Sequence, residues 1–585
     1  MATSSLCQHE SSMMDAKMQK EHIEQYGPPD TRDLESNETG SSQALNELQR
    51  DLKPRQVFMF SIASSIGTGL VIGTGTALAN GGPGSMFLAY AFIGIVVFTV
   101  MTGMGEMAAF LPMSKGFGGY ATRMFDSALG FACGWNYFFK YIVAAPTNLT
   151  AAGLVIQYWR PDLNVAIWVA VFAVVVIAAN AMPVRVFGEV EFWAALYKTL
   201  VMIIMILACF IIAVGGNPDH RVLGFHYWNS PGAFAEHILT GPKGRFLGWW
   251  ACVCQACFAF TGTEVVGITF GETPNPQKNV PRAIRQTFFR ILLFYILGVL
   301  VLGMAVPYNS SELLGATERS TSAGKSHRPT AVQNLSLTVL GASPFVVAIN
   351  SAGVRGFSGF INASLLVFTL SAACSDIYCS SRSLYGLAKD GQAPKIFART
   401  IGKGRPIFAV AFSAVFSALG FMNASSSSSQ VFGYLVDLVT VFAVLNWFCI
   451  LVSHIAFRRA LETQGVSTKL LPYCGLFQPY ASYFALVFVI LVVIFNGYSA
   501  FISQFTLSKF ILSYLGSILF VVNYICWKIW KRTRIVPSHE VDLFTGRMRD
   551  AEQEVNPELE EHSGLGTQML APVRMAFQSI SHLKK

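Results

Sequence analysis

Several ionisable residues lie inside long apolar stretches of the sequence, where water is scarce. They are Glu106, Lys140, Lys198, Glu264 and Asp437. Placing a charge in the core of a bilayer costs about 3 kcal/mol or more, so such residues usually bind a proton, an ion or a charged ligand. The alternative is a buried ion pair or a side chain that reaches the interface, and both interpretations stay open for Glu106 and Asp437. Asp376 lies nearer the end of its stretch, where we expect contact with water.

Two of the apolar stretches contain residues that favour a local break in a helix. Ser65-Ile66-Gly67-Thr68-Gly69 lies in the first stretch, and Phe260-Thr261-Gly262-Thr263-Glu264 lies in the sixth. Glycine inside a helix costs about 1 kcal/mol relative to alanine. Unwound backbone at membrane depth is tolerated where it is buried in protein or lines a cavity, so a pair of breaks predicts a ligand site. The alternative is that the glycines only allow helices to pack closely.

The two predicted breaks together suit the backbone of an α-amino acid. Free N–H groups in the first break would bind a carboxylate, and free carbonyl groups in the sixth stretch would bind an ammonium group. Phe258 and Phe260 are candidate gates over the ligand, although aromatic residues in membrane helices usually serve packing. The predicted substrate-binding residues are Ser65, Ile66, Gly67, Thr68, Gly69, Phe258, Phe260, Thr261, Gly262 and Lys140.

The elements that must position these residues are membrane helices. Of the 585 residues, 53% are hydrophobic and 13% are charged, whereas a soluble globular protein has about 25% charged residues. This composition excludes an ordinary cytosolic enzyme, a disordered protein and a nucleic-acid-binding protein with a basic face. A membrane helix needs about 20 apolar residues. Twelve segments are candidates, at 56–79, 86–111, 130–157, 165–182, 190–214, 247–269, 287–306, 343–376, 406–423, 430–454, 480–502 and 507–530. The eighth segment is expected to be interrupted, with its helix starting within the first 15 residues.

The charges of the loops predict how the chain is oriented. Loops after even-numbered segments carry more Lys and Arg than loops after odd-numbered segments, which places the even-numbered loops and both tails in the cytoplasm. The predicted organisation is a cytoplasmic tail over 1–55, a transmembrane domain over 56–530 and a cytoplasmic tail over 531–585. The sequons at Asn309, Asn334 and Asn423 then fall on the outer side, where glycosylation can occur.

The spacing of the two breaks predicts an internal repeat. Aligning Gly67 with Thr261 also aligns Gly73 with Gly267. Because the breaks are an odd number of segments apart, the second half of the chain would enter the membrane from the opposite face. This arrangement is typical of an inverted repeat, here segments 1–5 against segments 6–10.

The motifs of the chain, in their order, resemble those of the fungal amino-acid permeases, the yeast amino acid transporter family within the amino acid–polyamine–organocation superfamily. They are Ser65-Ile-Gly-Thr-Gly69, Gly105-Glu-Met-Ala108, Gly188-Glu-Val-Glu-Phe-Trp193, Gly244-Arg-Phe-Leu-Gly248, Gly262-Thr-Glu-Val-Val-Gly267, Pro281-Arg-Ala-Ile284, Val306-Pro-Tyr-Asn309, Ser383-Leu-Tyr-Gly-Leu387 and Asp542-Leu-Phe-Thr-Gly-Arg547. The resemblance implies an all-α polytopic membrane protein of about twelve transmembrane helices. Its fold would be LeuT-type, a 5+5 inverted repeat plus two peripheral helices.

Within that family, segment 3 looks most like the dicarboxylic amino-acid permeases. The matching residues are Phe138-Phe-Lys140-Tyr-Ile and Pro146-Thr-Asn-Leu-Thr, although the dicarboxylic permeases usually read Pro-Asn-Gln-Leu-Thr at the second site. The segment 316–341 is longer than the usual outer loop. An acidic substrate brings a second carboxylate into a cavity of low dielectric, and Lys140 is the expected cation for it. The alternative is that Lys140 pairs with Glu106 or another acid and never meets the substrate.

Two residues are predicted to couple transport to protons. Lys198 resembles the lysine that replaces a sodium ion in proton-coupled relatives, and no acidic partner for it is evident in the sequence. Glu264 follows the break in segment 6. It is expected to pair with the substrate ammonium group or to stabilise the unwound helix.

These observations predict a secondary active symporter that imports amino acids with protons across the plasma membrane. Glutamate and aspartate are the expected substrates. The alternatives are a broad-specificity or neutral amino-acid permease and a receptor of the same fold that does not transport, although the short amino-terminal tail favours a transporter. No nucleotide-binding loop, catalytic constellation or cofactor site is expected from the motifs of the sequence. No metal site is expected either, because Cys252, Cys254 and Cys257 have no second cluster of Cys or His to complete the ligands. The expected partners are amino acids, protons and membrane lipid, without nucleic acid.

Overall fold

The computed structural model describes Met59 and residues 64–545. The gaps within this range are 114–115, 161, 218–219, 271–275, 311–312, 314–342, 355, 402–404, 425–427, 503–504 and 506. The predicted amino-terminal tail over 1–55, the segment 316–341, the sequon at Asn334 and most of the predicted carboxyl-terminal tail lie outside the described residues. Residues 64–399 and 406–545 belong to one compact unit.

The described residues are built from helices, and the β-pairing among them is a single isolated bridge between Ile401 and Arg405. The first helices are α1 (Thr74–Phe110), α2 (Gly116–Met124), α3 (Ser127–Ile156), α4 (Val165–Ala181), α5 (Val184–Ala213), α6 (Gly241–Ala259), α7 (Val265–Phe270) and α8 (Pro276–Arg290). The others are α9 (Gly298–Ala305), α10 (Pro344–Ser351), α11 (Phe357–Lys389), α12 (Ile407–Val415), α13 (Ser428–Thr463), α14 (Tyr480–Phe495), α15 (Ser499–Ile502) and α16 (Leu507–Lys531). Short π-helical turns precede α1 (Gly69–Gly73) and join α8 to α9 (Ile291–Leu297).

Within the described residues, seven helical spans are long and apolar enough to cross a membrane, and three shorter helices are also apolar. The prediction of an all-α polytopic membrane protein is confirmed, while the number of twelve spans stays a prediction. Many large apolar side chains on the outside are exposed, including Val174 at 68% and Trp193 at 64%. In a bilayer such side chains meet lipid tails rather than water.

Glycines with positive φ set two helix boundaries. Gly82 has a φ of 78° and is followed by Pro83, so the predicted segments 1 and 2 follow one another through a sharp turn within α1. Gly353 and Gly356 also have positive φ and separate α10 from α11. The interruption expected within the first 15 residues of segment 8 lies at this turn, and the long helix of that segment begins at Phe357.

Helix α3 lies at the centre of the helical unit and packs against α11, α13 and α16. Its first turn is capped by Asp126, which accepts a hydrogen bond from the Ala128 N–H at 3.0 Å. Asp126 also accepts one from Lys528 Nζ on α16 at 2.5 Å. Because the same carboxylate caps α3 and binds α16, the position of α3 is fixed at this end.

The segment after α16 folds back onto the ends of two helices. Arg123 at the end of α2 forms an ion pair with Asp542 at 2.9 Å, and its Nη2 donates to the carbonyl of Thr545 at 2.7 Å. Gln464, which follows α13, donates to the carbonyl of Val541 at 2.7 Å. Leu543 between these contacts is fully buried. This part of the predicted tail is therefore an ordered piece of the fold.

One of the sequons lies in the protein interior. Asn423 is 4% exposed, and its amide donates to Thr150 Oγ1 at 3.0 Å. A glycan needs an exposed acceptor nitrogen, so the expectation of glycosylation at Asn423 was wrong.

Candidate functional site

The two predicted breaks are present and touch each other. The chain leaves helical geometry at Ile66 and Gly67, and it does so again between Phe260 at the end of α6 and Val265 at the start of α7. Ser64 Oγ donates to the carbonyl of Gly262 at 3.2 Å. Gly262 has a φ of 92°, a conformation that favours glycine.

Besides this hydrogen bond, backbone atoms of the two segments approach each other closely. A Cβ added to Gly69 would lie 2.7 Å from Ala259 Cα, and one added to Gly262 would collide with the carbonyl oxygen of Ser64. A Cβ on Gly67 would instead meet open space. Gly69 and Gly262 thus allow the close approach, whereas Gly67 borders a cavity.

This cavity has a volume of about 60 Å³ and lies beside both breaks. Seven of the predicted substrate-binding residues line it. They are Gly67, Thr68, Gly69, Lys140, Phe258, Thr261 and Gly262. Side chains that the site prediction did not include also line it, among them Tyr141, Asn148, Ser375, Asp376 and Cys379. The cavity is therefore formed by the two breaks together with α3 and α11.

Three predicted substrate-binding residues lie outside the lining. Ile66 is fully buried in the hydrophobic core. Ser65 is also buried, and its carbonyl accepts a hydrogen bond from Tyr295 Oη. Phe260 stacks on Tyr295 with ring centroids 4.1 Å apart and is fully buried. Phe260 is thus a packing residue in this conformation, and of the two predicted gates Phe258 borders the cavity.

Lys140 meets Glu264 across the edge of the cavity. Its Nζ forms a buried ion pair with Glu264 Oε1 and lies 4.5 Å from the ring centroid of Tyr141. Glu264 Oε2 accepts hydrogen bonds from the Gly262 N–H at 3.1 Å and from Trp447 Nε1 at 3.4 Å. Glu264 therefore stabilises the unwound segment directly, as one of the two expectations for it proposed. The acid that pairs with Lys140 is Glu264 and not Glu106.

Lys198 is paired, contrary to the impression from the sequence. Its Nζ donates to Ser371 Oγ at 2.9 Å and lies 3.7 Å from Glu191 Oε1. Glu191 accepts further hydrogen bonds from Ser371 at 2.6 Å and Ser375 at 3.1 Å. Because Ser375 also lines the cavity, it connects the pair of Lys198 and Glu191 to the cavity wall.

Asp376 lies well inside α11, so the expectation that it sits near a helix end was wrong. It is 8% exposed and lines the cavity. Its Oδ2 accepts a hydrogen bond from Asn148 Nδ2 at 2.7 Å, and Asn148 Oδ1 accepts one from Thr68 Oγ1. This chain of hydrogen bonds joins α11 to the break before α1 through α3. The sequence could have indicated it only through the excess of polar residues in 147–150.

Glu106 and Asp437 do not line the cavity. Glu106 is fully buried and accepts two hydrogen bonds from Arg458, at 2.7 and 2.6 Å. His454 Nε2 lies 2.6 Å from the same carboxylate, and the Gly475 N–H donates to it at 2.6 Å. Asp437 is half-buried on α13. Glu106 is thus part of an ion cluster within the protein.

Comparison with known proteins identifies the family. The model of the amino acid permease family matches residues 56–539. The chain is 49% identical to an uncharacterized amino-acid permease of Schizosaccharomyces pombe, over 85% of this chain and 92% of the relative. It is 43% identical to the dicarboxylic amino acid permease of Saccharomyces cerevisiae, over 87% and 83%. It is 36% identical to a proline-specific permease of Emericella nidulans, over 89% and 92%.

These relatives are transport proteins rather than enzymes, and the substrates in the names of the last two differ. The length of the match and the helical fold agree with one another. The chain therefore belongs to the amino acid permease family, the multi-pass membrane proteins that transport amino acids.

Proposed function

We propose that the chain is a symporter that imports glutamate and aspartate together with protons across the plasma membrane, with both termini in the cytoplasm. The observation that carries this proposal is Lys140, the one cationic side chain among the described residues that line the cavity. An acidic amino acid needs a cation for its second carboxylate in a site that excludes water. The 43% identity to a dicarboxylic amino acid permease supports the same substrate class.

The breaks supply the groups for the parts that all amino acids share. Gly67, where the chain leaves helical geometry, borders the cavity together with Thr68 and Gly69 at the start of the following helix, and such a helix start suits the substrate carboxylate. Thr261 and Gly262 border it from the other break, where the carbonyl group of Thr261 is the candidate acceptor for the ammonium group, since the Gly262 carbonyl already accepts from Ser64 and Val265. The side chain of the substrate would then extend toward α3 and α11, where Lys140 and Asp376 lie.

Proton coupling is proposed through the buried pairs beside the cavity. Lys198 and Glu191 can exchange a proton without contacting substrate, since Ser371 and Ser375 separate them from the cavity. Lys198→Ala should therefore abolish concentrative uptake while leaving some exchange of internal for external substrate. The matched control is Lys243→Met, which removes an exposed lysine at the start of α6.

A second candidate function is a broad or neutral amino-acid permease. The specific observation in its favour is that Glu264 already neutralises Lys140. A neutral substrate would leave this ion pair intact, whereas an acidic substrate must share Lys140 with Glu264. Proline-specific and lysine-specific permeases are also among the relatives.

The decisive experiment is uptake of radiolabelled amino acids by cells that lack their own permeases. We expect glutamate and aspartate to be taken up best and to compete best with each other. Uptake should fall as external pH rises and collapse with a protonophore. Poor competition by glutamate would support the broad or neutral permease. Uptake that follows a sodium gradient and ignores pH would contradict proton coupling.

The orientation in the membrane needs a separate experiment. Epitope tags at each end of the chain, probed in intact and in permeabilised cells, test whether both termini lie in the cytoplasm.

A further inference from the structure

Asp376 is a carboxylate of the cavity lining whose charge has no direct counterpart. Among the described residues, no Lys, Arg or His forms an ion pair with it, and its hydrogen-bond donor is the neutral amide of Asn148 at 2.7 Å. That bond goes to Oδ2, and within the described part of the chain no hydrogen bond to Oδ1 is found. A buried carboxylate with one neutral donor is poorly compensated in its charged form.

The other charges around Asp376 cancel one another. From α3 and the break before α7, Lys140 is balanced by Glu264. From α5, Lys198 is balanced by Glu191. The remaining titratable neighbours are the neutral side chains of Tyr141 on α3 and of Cys374 and Cys379 on α11, and α13 contributes Val439 to the lining. An ionised Asp376 therefore leaves this part of the molecule with one unbalanced negative charge.

An acidic substrate makes this imbalance worse. Glutamate and aspartate carry two carboxylates and one ammonium group, hence one net negative charge. Two like charges in one cavity of low dielectric repel strongly, and proteins resolve such conflicts by protonating one carboxylate. Lys198 cannot remove the conflict by contact because it does not line the cavity, whereas Asp376 does.

We propose that Asp376 takes up the proton that enters with the substrate, and that its protonated carboxyl group donates a hydrogen bond to the side-chain carboxylate of the bound acidic amino acid. The proton comes from external water, binds Oδ1 and leaves to cytoplasmic water after the substrate has gone. Asn148 keeps Oδ2 in place and connects it to Thr68 at the break. Protonation of Asp376 is thereby coupled to binding at the break. This inference rests on the proposed function and places the transported proton on Asp376 while substrate is bound. The pair of Lys198 and Glu191 can then pass this proton on through Ser375 without contacting substrate.

The test is the pH dependence of glutamate binding to the purified full-length protein in lipid nanodiscs, measured by thermal shift. If binding requires one proton, the affinity of the unmodified protein falls about tenfold for each pH unit above the titration of that group. Asp376→Asn resembles the protonated acid in shape and can donate the same hydrogen bond. It should bind glutamate with an affinity that does not change with pH. Asp376→Glu should keep the pH dependence.

Asp437→Asn is the matched control, because it neutralises another intramembrane aspartate that does not line the cavity. It should retain the pH dependence of the unmodified protein. If glutamate binding to Asp376→Asn still depends on pH, the assignment of the proton to Asp376 is overturned. It is also overturned if glutamate binding to Asp437→Asn no longer depends on pH. Loss of glutamate binding at every pH in folded Asp376→Asn would overturn it as well. Failure of the unmodified protein to bind glutamate would overturn the proposed function itself.

A second measurement uses the unmodified protein and does not depend on the folding of a variant. Carbodiimides react with protonated carboxyl groups, and mass spectrometry locates the adduct. We expect labelling at Asp376 that decreases as pH rises and that glutamate prevents. Absent labelling, or labelling that glutamate leaves unchanged, would contradict the inference.

Discussion

Glu106 and Glu264 are both fully buried and both paired with cations. They differ in the number of charged partners and in whether those partners border the cavity. Glu106 receives two hydrogen bonds from Arg458 and one from the Gly475 N–H, and His454 contacts the same carboxylate. It does not border the cavity. Every one of these partners is supplied by the protein, so Glu106 fastens α1 to α13 and to the loop after it.

Among the described residues, Glu264 has a single cationic partner, and that partner also lines the cavity. Lys140 lines the cavity, and the other donors to Glu264 are the Gly262 N–H and Trp447. A cation at the edge of a cavity can exchange one carboxylate for another, whereas a cation enclosed by protein cannot. The comparison teaches that access to the cavity, rather than burial or charge, separates a candidate binding charge from a structural one.

The largest expected effect is on stability, at Glu106. Glu106→Gln leaves Arg458 without a counter-charge in the interior, which costs about 3–5 kcal/mol. Glu264→Gln should cost less, about 1–3 kcal/mol, because Lys140 lies beside a polar cavity. Thermal unfolding of the two purified variants measures the difference. Equal losses of stability in the two variants would contradict the distinction between a structural charge at Glu106 and a cavity-facing pair at Glu264.

A smaller effect is expected where the two breaks touch. In Gly69→Ala the new Cβ would lie 2.7 Å from Ala259 Cα, so the backbones must separate at a cost of about 1–3 kcal/mol. Uptake should fall strongly, and Gly69→Val should abolish it while the protein still reaches the membrane. Gly386→Ala is the matched control, since Gly386 lies on α11 outside the cavity lining and its added Cβ meets open space. Uptake assays with surface quantification compare the three, and normal transport by Gly69→Val would contradict a site at the breaks.

Lys140→Met tests whether the cavity cation selects substrate. Glutamate and aspartate uptake should fall about tenfold or more, equivalent to about 1.4 kcal/mol, while some neutral amino acids are still transported. The double variant Lys140→Met with Glu264→Gln removes both charges and should recover stability without recovering glutamate uptake. Equal loss of all substrates would show that Lys140 is structural, like Arg458.

The smallest effect is expected at the exposed pair of Arg123 and Asp542. Burial alone would raise the pKa of Asp542, but hydrogen bonds from Thr545 and the charge of Arg123 hold the pKa below its ordinary value. A lowered pKa means that the pair stabilises the fold at neutral pH and loses this contribution as pH falls below about 4. Asp542→Asn should cost less than about 1 kcal/mol at neutral pH, because Asp542 is half exposed. Limited proteolysis of the carboxyl-terminal segment, at neutral pH and below about pH 4, compares how well the segment is protected in the variant and in the unmodified protein.

The sequence indicated the helical class and the breaks because both depend on local composition. Glycine and threonine within an apolar run mark the break at Gly67 as well as that at Gly262. The pairing of Lys198 with Glu191 and the hydrogen bond from Asn148 to Asp376 depend instead on how packed helices are rotated about their axes. No local pattern encodes that rotation. The same limit left Lys140 with Glu106 as a candidate partner when its partner is Glu264.

The division of the cavity between backbone and side chains has a consequence for how such proteins diverge. If the breaks bind the part that every amino acid shares, that recognition survives substitutions elsewhere, because it is made by main-chain atoms. Lys140 and Asp376, on α3 and α11, can then change independently of it. A single scaffold can in this way give rise to permeases whose names specify dicarboxylic, proline or lysine substrates. Exchanging the residues at these two positions between relatives is the shortest route to a redesigned specificity.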